Sequence, residues 1–201
     1  MADSSRVDFW EQRYREGVTP WEGASLPEPA RVLFASLPPS TVLLPGCGSA
    51  GDMPPLLALG HQVLAVDFSA AAIARARQQW PAAADSLLLG DFFQLELPAF
   101  DCVFERAFLC ALPREMRGQY AERVAGLVKP GGLLAGVFFL GEGERGPPFG
   151  MAENALQALL NPWFALEQAL PLQDGLPVFS GRECWMVWKR RGLDLDQALK
   201  A

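Results

Sequence analysis

The stretch "LLPGCGSAGD", Leu43 to Asp52, sets three glycines within six residues at the end of an apolar run. Gly46, Gly48 and Gly51 match G-x-G-x-x-G, in which glycine permits a tight turn after a strand and lets the backbone approach a ligand closely. Asp67 follows at the distance expected of an acid that binds a ribose. The loop therefore reads as a nucleotide cradle, and the next question is which nucleotide it holds.

The surrounding pattern alternates short β-like runs with helical ones, which indicates an α/β fold around a mostly parallel sheet. "TVLLPG" (41–46) reads as the first strand and "DMPPLLALG" (52–60) as a helix capped by Asp52 and ended by Gly60. "QVLAVD" (62–67) is the second strand, and "SAAAIARARQQW" (69–80) a helix capped by Ser69. Strands follow at 86–91 and 101–105, then a helix at 113–128 with Pro113 in its first turn, a "KPGG" turn at 129–132 and a buried strand at 133–140. Beyond a loop at 141–150 and a short helix at 152–160, "FALEQALPL" and "ECWMVWKRR" read as an antiparallel closing pair. Upstream, "SRVDFWEQRYREG" (5–17) is an amphipathic helix capped by Ser4 or Ser5, followed by the proline-punctuated "VTPWEGASLPEPA". The organisation is one domain over 1–201: a 1–40 segment that could cover the fold, a 41–191 core and a 192–201 tail.

Composition narrows the class. With 201 residues, half of them hydrophobic, the chain has enough apolar matter for one sizeable core. Its longest apolar stretch in the C-terminal half is too short to cross a bilayer, and "MADSSRVDFW" lacks the basic start and apolar core of a leader, so a soluble, cytoplasmic protein is expected. The four cysteines are widely spaced and there is one histidine, which argues against a disulfide framework and against a metal site. A net charge of −6 with three lysines offers no field for nucleic acid, and the partner is expected to be a small molecule. Little speaks to oligomeric state; a monomer is favoured.

In an open α/β sheet, ligands bind beyond the carboxyl ends of the strands. The glycine loop, Asp67, Asp91 and Glu105 should meet there. Asp67 can accept from both ribose hydroxyls, or serve as a helix-capping acid. Asp91 and Phe92 can address an adenine, the carboxylate taking the amine and the ring lying on the base. A nicotinamide oxidoreductase needs a proton donor beside its cofactor. His61 lies in a turn away from the site, and Tyr14 and Tyr120 each have a valine four residues on where a lysine would be needed. The hydride-transfer reading lacks its acid.

At these residues the chain resembles a known family. "FWEQRYREGVTPWE" (9–22), "VLLPGCGSAGD" (42–52), "GHQVLAVDFS" (60–69), "GDFF" (90–93), "FLCALP" (108–113), "KPGG" (129–132), "GPPF" (146–149) and "GREC" (181–184) run in family order over nearly the whole chain. It looks like a class I S-adenosylmethionine-dependent methyltransferase, and more narrowly resembles the thiopurine S-methyltransferase superfamily with its thiol and halide methyltransferases. The resemblance implies a Rossmann-like, seven-stranded, mostly parallel sheet with one antiparallel strand, helices on both faces and an amino-terminal helical lid. It also implies one S-adenosylmethionine, held by Gly46, Gly48, Asp67, Asp91 and Phe92, with Trp10 and Trp21 closing over its methionine part and sulfonium. An indole face suits a sulfonium, a contact of about 0.5–2 kcal/mol.

Methyl transfer from a sulfonium is an in-line displacement whose main demand is alignment in a dry pocket. A thiolate, sulfide or similar soft nucleophile can attack directly. A neutral thiol needs a proton acceptor, for which Glu105 is the candidate; that carboxylate could instead bind the cofactor amine or pair with Arg106. Where the plant thiol and halide branch has tyrosines, this chain has Arg106 and Phe149. The acceptor pocket is then expected to be aromatic, from Trp21, Phe108 and Phe149, with Arg106 as its cationic edge. A non-catalytic cofactor-binding module is the other alternative.

Overall fold

A computed structural model describes residues 3–22, 26–141, 146–173 and 175–192. Parts of three expected segments therefore lie outside the described residues: 23–25 in the stretch before the core, 142–145 in the loop at 141–150, and the tail from 193.

Seven strands form one sheet in the order β3-β2-β1-β4-β5-β7-β6. They are β1 (Thr41–Pro45), β2 (Gln62–Asp67), β3 (Leu87–Leu89), β4 (Phe100–Arg106), β5 (Val128–Phe139), β6 (Phe164–Pro171) and β7 (Glu183–Arg190). The first five pair in parallel, and β7 runs antiparallel to both β5 and β6. The chain order reverses between β1 and β4, which is where such a sheet opens a crevice.

Strand alternation divides the apolar residues between two faces. Val42, Leu44, Cys102 and Phe104 pack toward α2 (Glu28–Ser36), α3 (Met53–Ala58) and α4 (Ala70–Gln79), where Phe34, Leu56 and Ile73 meet them. Leu43, Val103 and Leu134 face α5 (Arg117–Leu127) and α6 (Glu153–Leu160), meeting Tyr120, Val124 and Leu156. Helix α1 (Val7–Glu16) lies outside the sheet, against α4.

Local chemistry explains both agreements and departures. Ser69 caps α4 by accepting from Ala72 N at 3.2 Å, and Gly60 ends α3 in a left-handed turn. Asp52 does not cap α3 with its side chain, because its carboxylate is drawn to Arg106 at 2.6 Å. Neither Ser4 nor Ser5 caps α1; Arg6 holds the cap position, and Ser5 instead donates to Asp3. The α5 region begins as a short 3₁₀ turn at Arg114–Met116 before becoming α-helical at Arg117. The "KPGG" segment does turn, but as a bulge inside β5: the pairing jumps from Phe100–Val128 to Cys102–Leu133, and Lys129 pairs with Asp101 opposite it at 2.8 Å. Helix α2, unanticipated, starts on Pro27 and Pro29, which favour a helical first turn.

Candidate active site

The carboxyl ends of β1 to β4 open onto one cavity of about 210 Å³. Gly46 reaches it from the turn after β1, Asp67 from the end of β2, Asp91 and Phe92 from the turn after β3, and Phe108 from the turn after β4. Helix α1 and the turn behind it supply Trp10, Arg13, Tyr14 and Trp21. Gly46, Asp67, Asp91 and the indoles of Trp10 and Trp21 thus come together in one place.

Two glycine positions are dictated by this packing. Both Gly46 and Gly48 have left-handed backbone, and a Cβ at either would run into a neighbour: the Phe108 ring at Gly46, the Tyr14 hydroxyl at Gly48. Gly48 does not line the cavity itself; its N–H donates to Asp67 Oδ2 at 2.9 Å. Asp67 Oδ1 accepts from Ser69 N at 2.8 Å. Burial pushes the Asp67 carboxyl up to about 6, against the pull of these backbone donors. A carboxylate has about four lone-pair sites, so acceptor capacity remains for a ligand. Asp91 is exposed and forms its own turn, accepting from Phe93 N at 2.9 Å, while Phe92 is buried edge-on to Phe108 at 5.3 Å. The Trp10 and Trp21 rings meet edge to face at 5.3 Å; Trp10 Nε1 donates to Ser4 O at 2.8 Å and Trp21 Nε1 to the Tyr14 hydroxyl at 3.2 Å.

Besides Gly48, three expected site residues lie outside this cavity. Glu105 is 1 % exposed and does not line the cavity. Its Oε1 accepts from Phe108 N at 2.9 Å and Leu109 N at 3.0 Å, and its Oε2 from the Tyr120 hydroxyl at 2.8 Å. It braces the turn that carries Phe108 and does not reach the cavity, where the base or amine ligand is expected. Burial pushes its carboxyl up to about 7. Arg106 does not line the cavity either, and its ion pair is with Asp52 at 2.6 Å rather than with Glu105. Successive strand residues point to opposite faces, so Glu105 goes to Tyr120 and Arg106 to Asp52. Phe149 lines a separate small cavity with Glu105 and Arg117. Its N–H donates to Cys110 O at 2.7 Å and its carbonyl accepts from Arg117, which turns the ring away and presents Pro147 and Pro148 to the main cavity instead.

Against this geometry stand the relatives. The family model described as thiopurine S-methyltransferase matches residues 5–191. The chain belongs to the thiopurine S-methyltransferase family. It is 33 % identical over 162 residues to "Probable thiol methyltransferase 2" of Arabidopsis thaliana, covering 76 % of this chain and 71 % of that protein. It is 34 % identical over 176 residues to the thiopurine S-methyltransferase of Bordetella petrii, covering 76 % and 80 %. Its fold matches a Burkholderia thailandensis 1,6-didemethyltoxoflavin-N1-methyltransferase solved with S-adenosylhomocysteine, with a TM-score of 0.73 at 20 % identity over 92 % of this chain and 87 % of that one.

As a member of the thiopurine S-methyltransferase family, the chain is an S-adenosylmethionine-dependent methyltransferase, and its residues fit that cofactor. The Gly48 N–H is given to Asp67 and so is not offered to a phosphate, and the buried acid at the end of β2 suits a ribose. Tyr14 lines the cavity as well, although the motifs above do not mark it as a site residue. Its signal was available: Trp10, Arg13 and Tyr14 stand at i, i+3 and i+4 on α1, hence on one face. Pro147 and Pro148 carried no such signal, since an irregular loop has no period.

Proposed function

We propose that this chain moves the methyl group of S-adenosylmethionine to the sulfur of a small soft nucleophile: a thiolate, a sulfide or a thiopurine-like compound. The observation that carries this reading is the convergence of Asp67, Trp10 and Trp21 on a single cavity with aromatic walls. When bound, the cofactor supplies an electrophilic methyl on a positively charged sulfur. Gly46, Asp67, Asp91 and Phe92 hold it, Gly48 acts through the N–H it gives to Asp67, and the two indoles cover the cofactor's charged end. Trp21 and Phe108 wall the acceptor, exclude water and so raise the reactivity of an anionic sulfur. Helix α1 acts as a lid.

Acceptors already ionised at sulfur suit this cavity best. Glu105 is consumed by three hydrogen bonds, and burial drives the Tyr14 hydroxyl far above the ordinary tyrosine range, so it is no base. A nicotinamide oxidoreductase is not favoured, because His61 is buried against Phe34 O at 2.9 Å and does not line the cavity. We place the enzyme in the cytoplasm as a monomer acting on small molecules without nucleic acid. The net charge of −6 speaks against nucleic acid, and the free thiols Cys47, Cys102, Cys110 and Cys184 fit a reducing compartment; no described helix is long and apolar enough to cross a membrane.

The test is a panel of thiols, sulfide, thiocyanate, halides and thiopurines with methyl-labelled cofactor, alongside calorimetric titration with S-adenosylhomocysteine. Cofactor binding with transfer to sulfur acceptors is expected. Binding without transfer to any of them would leave a cofactor-binding module and overturn the proposal.

A further inference from the structure

The cationic edge expected at Arg106 is absent from the cavity, yet a cation is there. Among the described residues lining it, Arg13 is the one that carries positive charge. Its guanidinium lies 3.4 Å from the centre of the Phe9 ring, and Nη1 donates to Phe9 O at 2.8 Å. Among the described residues no carboxylate pairs with it. Arginines around it do have partners: Arg6 with Asp8 and Arg15 with Glu11 in the same segment, and Arg75 of α4 with Glu22. Arg13 is thus fixed by a ring and a carbonyl, neither of which neutralises it, and it retains N–H donors that the planar fork aims in fixed directions.

A second polar group lines the same cavity. Ser4 is 3 % exposed, and its hydroxyl has no hydrogen-bond partner among the described residues. A buried hydroxyl left unsatisfied costs free energy until something bonds to it. Ser4 and Arg13 both belong to the Trp10 neighbourhood, the former through its carbonyl on Trp10 Nε1 and the latter one turn along α1.

Helical geometry separates these groups from the cofactor's end of the cavity. At 100° per residue, Tyr14 lies about 40° to one side of Trp10 and Arg13 about 60° to the other. Tyr14 is the residue that meets Gly48 and the glycine loop. Arg13 therefore lies across the indole from the loop and from Asp67.

Resting on the sulfur-methylation reading above, we propose that Arg13, assisted by the Ser4 hydroxyl, receives an anionic substituent of the methyl acceptor. The preferred substrate class is then a small thiol that bears a carboxylate or similar oxyanion in addition to its nucleophilic sulfur. An arginine fork matches a carboxylate bidentately, and a charge-assisted bond in a cavity of this kind is stronger than a neutral one.

The experiment compares 4-mercaptobenzoate with its methyl ester as acceptors, and their S-methylated products as ligands of the S-adenosylhomocysteine complex. In the wild type, the carboxylate form of the product should bind at least tenfold more tightly than the ester. Arg13→Met should lower the carboxylate-over-ester ratio in kcat/KM, and in product affinity, by about tenfold, and Arg13→Lys should restore part of it. Ser4→Ala should lower the ratio by a few-fold. Equal affinity of the wild type for the two products, or an unchanged ratio in Arg13→Met, would overturn the proposal. So would a tenfold loss of S-adenosylhomocysteine affinity in Arg13→Met, since the carboxylate received would then be the cofactor's. If no methyl transfer occurs but the product preference and its loss in Arg13→Met are seen, the anion site stands and only the reading of the reaction fails.

Discussion

Glu11 of α1 caps the amino terminus of α4 together with Ser69: its Oε2 accepts from Ser69 Oγ at 2.7 Å and from Ala71 N at 2.9 Å. The Ser69 N–H in turn donates to Asp67 at 2.8 Å. A three-residue line of hydrogen bonds thus joins the helix bearing Trp10 to the acid at the end of β2. Nearby, Glu22 fixes the turn bearing Trp21 by accepting from Ser49 N at 3.1 Å. Replacing a capping acceptor costs about 0.5–2 kcal/mol. Glu11→Ala should therefore speed hydrogen exchange of the α1 amides and weaken S-adenosylhomocysteine binding by about 2- to 30-fold. Bound S-adenosylhomocysteine should slow α1 exchange in the wild type. Identical exchange of α1 with and without saturating ligand would remove the lid role.

Cofactor affinity should depend on pH through Asp67. Its carboxyl is raised to about 6 because burial disfavours the charge, yet the charged form is the one that accepts from ligand hydroxyls. The two consequences run in opposite directions. For folding, a raised acid contributes stability that is present at low pH and is lost as pH rises from its ordinary value toward 6. For binding, affinity should fall as pH drops below about 6, where one acceptor site becomes a donor. Asp67→Ala should lose roughly 1.5–3 kcal/mol of S-adenosylhomocysteine affinity at pH 8 and flatten the dependence. Calorimetry at pH 5.5 and pH 8, with a melting curve to verify folding, decides this.

The legible part of the site was the part set by local rules. The glycine turn and the strand ends follow from periodicity and from the backbone freedom of glycine, and Gly46, Asp67 and Asp91 line the cavity at the ends of β1, β2 and β3. Reading Glu105 and Arg106 as neighbours failed for an equally local reason, since adjacent strand residues face opposite layers. Phe149 and the two prolines before it could not be sorted from the sequence. Their facing is decided by Arg117 bonding the carbonyls of Phe149 and Gly150, a long-range choice with no pattern to announce it. Asp52 reads as a cap by position, and only the approach of Arg106 from β4 diverts it.

From that diversion we propose a structural role for Arg106, one with a definite signature. The pair ties the end of β4 to the residue that closes the glycine loop, at 2.6 Å and with side chains only 12 % and 18 % exposed. Burial raises the Asp52 carboxyl despite the arginine beside it. Removing one member of a largely buried pair costs about 3–5 kcal/mol, whereas replacing both with apolar groups is often close to neutral. Arg106→Met should therefore lower the urea midpoint sharply, and Arg106→Met combined with Asp52→Leu should recover much of the loss. Anionic and neutral acceptors should suffer alike in the single variant. A selective loss for anionic acceptors, with stability unchanged, would return Arg106 to the acceptor pocket.

Glu105 should make the native protein less stable as pH rises, against the usual behaviour of a hydrogen-bonded carboxylate. Burial dominates its titration and lifts it from 4.5 to about 7, although Phe108 N, Leu109 N and the Tyr120 hydroxyl all favour the ionised form. The folded state accordingly binds the extra proton, so its contribution is fully present below about pH 4.5 and declines through pH 7. The amplitude is of order 3 kcal/mol at 1.36 kcal/mol per unit. Glu105→Gln supplies the same shape: its carbonyl can accept from the two backbone N–H groups, and its amide can donate to the Tyr120 oxygen. Because other carboxylates titrate over the same range, the informative quantity is the difference between wild type and Glu105→Gln in urea denaturation at pH 5 and pH 8. The wild type should lose ground to the variant as pH rises, while the Phe108 turn and methyl transfer persist in both. A difference that is flat with pH, or that grows in favour of the wild type, would show that the three hydrogen bonds outweigh burial and that Glu105 is ionised throughout.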